Sequence, residues 1–201
     1  MTKAIFRFYY LFFGLIFAWA FLYDLLINVN RLIDFFSYFT VFSILFAAVL
    51  FLWIGFYDRR KGLLGFSFDE VRGAVLAYII ISAVIYQFTL SGRPEIKPVF
   101  WINFVDHRLA PVVMSLGWIL FPLKEKLKLT AIFKWLIFPL FYVAFVFARG
   151  AITGWYPYYF FDPSKTSYWQ MLIFSVGATG FGLIISLAII FVGNLLLRPK
   201  K

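Results

Sequence analysis

The sequence predicts an all-α polytopic membrane protein: one domain over residues 1–201, six transmembrane helices, both termini in the cytoplasm. Three observations predict it. The first is composition. The chain is 64% hydrophobic, 24% aromatic and only 14% charged, with a mean hydropathy of +0.90. A soluble domain is about 45–50% apolar and about 25% charged. The second is the arrangement of the apolar residues in long runs, each close to the ~20 residues that cross a bilayer as a helix. The third is a lopsided placement of basic residues in the loops between those runs.

The spans follow in order. The first runs from Ile5 to Ile27 and the second from Phe35 to Tyr57. The third is Val71 to Leu90, the fourth Trp101 to Phe121 and the fifth Ala131 to Ile152. The sixth, Tyr168 to Leu197, is long enough to tilt. None alternates with period two, so helices rather than a closed barrel satisfy the backbone in lipid. The first run is too long for a signal-peptide core and lacks a small-residue cleavage site, so it reads as a retained span. Gly177, Gly180 and Gly182 in the last span predict close helix packing.

Orientation comes from the positive-inside bias. Lys3, Arg7, Arg59, Arg60, Lys61, Arg72, Lys124, Lys126, Lys128, Lys134, Arg198, Lys200 and Lys201 fall on one side, 13 of the 19 basic residues. Both termini lie on that side, as an even number of spans requires. This accounts for the net charge of +10 without nucleic acid as a partner. The partners expected are bilayer lipids and a lipid substrate. With no cysteine and a single histidine, thiolate chemistry, disulfides and multi-histidine metal sites are excluded, and no metal or other cofactor is indicated.

Polar residues inside spans are costly and point to function. The one histidine stands in "NFVDHRLAP", residues 103–111. His107 lies about 9 Å into the fourth span, and Thr40 about 7–8 Å into the second, both from the non-cytoplasmic side. Arg149 is near the end of the fifth span on that same side. Thr40, His107 and Arg149 therefore share a layer in the outer part of the bilayer. Ser37, Thr40 and Ser43 recur every three residues and form a polar stripe. Asn103 and His107, four apart, face the same way. Asp106 is a poor orienter for its immediate neighbour His107, so another helix must supply the partner. The outer loop "TGWYPYYFFDPSKTS", residues 153–167, adds interfacial aromatics such as Tyr156 and Tyr158.

Three segments together, "FFSYFTVFS" (35–43), "DHRLAP" (106–111) and "WLIFPLFYVAFVFARGAITGWYPYYFFD" (135–162), resemble the androgen-induced gene family of six-span membrane proteins, above all its bacterial branch. Animal members are threonine hydrolases of fatty acid esters of hydroxy fatty acids, using a threonine and a histidine. The resemblance implies that Thr40 is the nucleophile, that His107 is the general base, and that the protein sits in a bacterial inner membrane. The chain departs from the bacterial pattern at Gly117 and Ile44, where those relatives often carry an acidic residue and an asparagine. Asn103, Arg149, Tyr156 and Tyr158 are the candidate oxyanion donors, and Arg149 is alternatively a holder of the substrate carboxylate. Asp106 and Ser43 stand as supporting residues. Two other classes remain open: a small proton- or anion-handling transporter, and a non-enzymatic assembly or lipid-binding protein.

Overall fold

The computed structural model describes residues 3–57, 65–93 and 99–197. Arg59, Arg60, Lys61, Lys97, Arg198, Lys200 and Lys201 lie outside the described residues. Among those described, every regular element is helical. Five helices are long and apolar enough to cross a membrane: α1 (Lys3–Ile27), α2 (Phe39–Tyr57), α3 (Phe68–Leu90), α5 (Ala131–Thr153) and α6 (Tyr168–Leu195). Between α3 and α5 stands α4, a helical stretch over residues 100–120. It is built of Phe100–Phe104, a π-helical turn Val105–Leu109, and Ala110–Leu120. This is the segment expected to be the fourth span. Asn103, Asp106, His107 and Arg108 dilute its hydropathy, so it falls outside the apolar set.

The second helix starts later than its apolar run suggests. Leu32–Phe35 forms a separate short turn, and the chain breaks over residues 36–38 before α2 begins at Phe39. Side chains hold that break. Ser37 donates to the Ile33 carbonyl at 2.7 Å, and Tyr142 of α5 donates to the Ser37 carbonyl at 2.8 Å. Thr40 consequently lies in the first turn of α2 rather than five residues into a continuous span.

α3 is the most buried of the five apolar helices, with 56% of its apolar window inside the structure against 22% for α1 and α6. It packs on α2, α4 and α6, while α1 pairs mainly with α2. The outward faces of α1 and α6 carry Phe8, Leu15, Trp19, Val176, Ile184 and Phe191, all exposed. Large apolar side chains on an outer surface are what lipid solvates. Of the three glycines expected to pack closely in the last helix, only Gly182 faces a neighbour, and an added methyl there would make an ordinary contact with Ile81 at 3.4 Å. The tight approach in α6 is at Gly193, where an added methyl would meet Trp118 at 2.8 Å. Gly177 and Gly180 have open space around them, because that stretch of α6 runs along the periphery.

One end of the bundle is locked by charge. Arg72 donates to Asp69 at 2.9 Å and to the Gly117 and Phe121 carbonyls at 3.0 Å. Asp69 also accepts the Lys124 amide at 2.8 Å. Ser67 and Glu70 make a reciprocal capping box at the start of α3, and Lys134 pairs with Glu70 at 2.9 Å. Arg7 reaches the Gly55 carbonyl at 3.0 Å. Residue 117, one of the departures noted above, sits at this end beside Tyr9. Ile44, the other, is buried in the apolar core.

Candidate functional site

The opposite end holds a cavity of about 530 Å³, a size usual for ligand pockets. Thr40 from α2 and His107 from α4 both line it. So do Asn103 and Asp106 from α4, Tyr86 from α3, and Trp155 and Tyr158 from the loop after α5. The end of α1 and the turn after it add Asp24, Arg31 and Asp34. Residues far apart in sequence, expected to share one depth, thus meet in one space.

His107 stands in the π-helical turn of α4, and Tyr86 opens a second π-helical turn, Tyr86–Leu90, at the end of α3. The two rings stack across the helices, centroids 3.9 Å apart and planes 6° from parallel. A π turn widens the helix by one residue, re-aims its side chains, and is frequent at functional sites. His107 Nδ1 is buried without a hydrogen-bond partner, and so is Asp106 Oδ1. Asp106 therefore does not orient its neighbour, as their adjacency on the helix predicts.

The Thr40 hydroxyl lies 2.8 Å from that of Ser82 on α3, and either oxygen can be the donor. Ser43 is fully buried and spends its hydroxyl on the Phe39 carbonyl at 2.9 Å. Of the expected polar stripe, only Thr40 faces the cavity.

The loop after α5 closes one wall. Gly154, with φ of +70°, ends α5 in the left-handed conformation that glycine adopts without strain. Tyr158 then tucks inward and its hydroxyl accepts the Phe39 amide at 3.0 Å, one residue before Thr40. Burial, which disfavours the charged phenolate, pushes the Tyr158 phenol up to about 12, so it stays neutral and keeps its proton. Asp162 pins the far side of the loop. Its carboxyl is held below the usual range first by the Ser164 hydroxyl, then by the Ser164 amide and Lys165.

Arg149 and Tyr156 stand behind this wall rather than in the cavity lining. Arg149 pairs with Asp34 and lies over the Trp155 ring at 4.2 Å, with its Nε and Nη1 buried and unpartnered. Tyr156 packs against Gly150, where an added methyl would run into its ring. Gly150→Leu is therefore expected to lift the loop, costing about 1–3 kcal/mol. Limited proteolysis of the purified protein checks this, with faster cleavage between residues 154 and 167 than in wild type.

Ser82, Tyr86 and Arg31 belong to this site and are invisible to a reading along the chain. Ser82 and Tyr86 lie in the third span, which carries no charge past Arg72, so only the fold shows what they touch. No protein-family model, curated protein or solved structure matches this chain significantly.

Proposed function

We propose that the protein hydrolyses the ester bond of a membrane lipid, such as a fatty acid ester of a hydroxy fatty acid, with Thr40 as nucleophile and His107 as general base. The observation that carries this reading is the convergence of Thr40 and the only histidine on one cavity. A threonine hydroxyl is a weak nucleophile and needs a base to take its proton. His107 takes the Thr40 proton as Oγ1 bonds to the ester carbonyl carbon. The tetrahedral intermediate collapses, the C–O bond to the alcohol breaks, and His107 returns the proton to the leaving oxygen. Water, deprotonated by His107, then attacks the acyl carbon, the bond to Thr40 Oγ1 breaks, and His107 returns the proton to Oγ1 as the fatty acid leaves. Asn103 and Tyr158 line the cavity with proton donors for the oxyanion. A cavity of about 530 Å³ takes the ester and its near methylenes, leaving long tails in the bilayer.

The test is covalent labelling of detergent-purified protein with a fluorophosphonate. Wild type is expected to label, and both Thr40→Ala and His107→Ala to lose the label while still folded. Labelling that persists in Thr40→Ala removes Thr40 as the nucleophile.

In the same reading α4 is a sixth span, the termini are cytoplasmic, and the membrane is a bacterial inner membrane. The gathering of Arg7, Arg72, Lys124 and Lys134 at one end of the bundle supports that orientation. The chain has no cysteine, so single-cysteine variants report topology directly. In intact cells Lys165→Cys is expected to react with an impermeant maleimide, and Lys126→Cys only after permeabilisation. The reverse pattern inverts the topology.

Asp24 and Asp106, in the same cavity, favour proton handling as a second reading. A transporter keeps its activity in Thr40→Val and loses it in Asp106→Asn.

A further inference from the structure

We infer that Ser82 and Tyr86, one turn apart on α3, are positioning residues that set the catalytic pair, Ser82 through Thr40 and Tyr86 through His107. The inference rests on the hydrolase reading. Its basis is that a single helix face touches both partners. Ser82 is buried, with its hydroxyl 2.8 Å from Thr40 Oγ1. Four residues on, the Tyr86 ring lies parallel to the His107 ring at 3.9 Å. Four residues of helix span about 6 Å, so α3 holds the two contact points at a fixed separation.

The chemistry of each contact follows. When Ser82 donates to Thr40 Oγ1, the Thr40 hydroxyl keeps its own proton to give up on the cavity that His107 also lines. As that proton departs, the same Ser82 bond is to a developing alkoxide, and a hydrogen bond to a charged group is the stronger kind. A catalytic base is usually held by a hydrogen bond from a third group. His107 Nδ1 has no such partner, and Asp106 does not supply one. The stack on Tyr86 takes that role. Once His107 holds the proton, its imidazolium faces the π cloud of Tyr86, a favourable cation–π arrangement.

The test compares fluorophosphonate labelling rates of full-length wild type, Ser82→Ala, Tyr86→Leu and Tyr86→Phe. In labelling, the Thr40 Oγ1–P bond forms, the P–F bond breaks, fluoride leaves and the proton passes to His107. Ser82→Ala is expected to slow labelling roughly 10- to 100-fold, and Tyr86→Leu about tenfold. Tyr86→Phe, which keeps the ring, stays close to wild type. The lone histidine gives a single imidazole NMR signal that reports the fold in every variant. Its ring protons, shielded by the stack, move downfield in Tyr86→Leu and stay in place in Ser82→Ala and Tyr86→Phe. A labelled wild type whose Ser82→Ala and Tyr86→Leu forms label equally fast overturns the inference and leaves the hydrolase reading intact. A wild type that does not label removes the hydrolase reading, and this inference with it.

Discussion

Hydrolysis of a fatty acid ester of a hydroxy fatty acid is expected to fall to background in Thr40→Ala and about a thousandfold in His107→Ala. The two losses differ in kind. Without Thr40 Oγ1 there is no atom to carry the acyl group, and the covalent route is closed. Without His107 the nucleophile remains but must lose its proton to water. Thr40→Ser, which keeps the hydroxyl and the neighbouring Ser82, is expected to retain part of the activity. The assay is the release of free hydroxy fatty acid by detergent-solubilised protein. The effects should not add, because the two groups act as a unit and the double variant loses no more than Thr40→Ala alone. A Thr40→Ala protein hydrolysing near the wild-type rate would remove the residue from the mechanism.

The second large effect is on stability, at the other end of the bundle. Asp69→Ala is expected to destabilise the fold by about 3–5 kcal/mol, because it strands Arg72 in the interior without its counter-charge. Arg72 and Asp69 are both buried, and Arg72 also crosses to the Gly117 and Phe121 carbonyls at the end of α4. Its guanidinium lies 5.2 Å from the Trp118 ring, so the stranded charge has little room to escape. The loss of the Lys124 amide contact loosens the chain after α4 as well. Thermal unfolding in detergent reads this as a large drop in midpoint. Replacing Asp69 and Arg72 together by apolar residues of similar volume should cost far less, since a buried pair is worth little more than good packing. An unchanged midpoint in Asp69→Ala contradicts the network.

The helices were legible because lipid imposes a length and a hydropathy on them, and five of the expected segments match apolar helices to within a few residues. The same argument failed for the start of α2. Apolarity runs straight through residues 35–39, while the break there is made by Ser37 and by Tyr142 from another helix. Counting along each apolar run put Thr40 and His107 in one layer, although the break over residues 36–38 moves Thr40 to the first turn of α2. Their shared cavity could not be found by counting, because it depends on how α2 and α4 pack around α3. Arg149 illustrates the limit of depth alone. It lies near the expected layer, yet Asp34 and Trp155 hold it behind the wall. Ser82 and Tyr86 left no trace in the pattern, since a serine and a tyrosine in a span are ordinary until their neighbours across the helix are known.

The most direct measurement is to digest fluorophosphonate-treated wild-type protein and locate the adduct by mass spectrometry. The account predicts one phosphonylated peptide, modified at Thr40 and absent when His107 is alanine. An adduct on any other residue, with Thr40 unmodified, would contradict it.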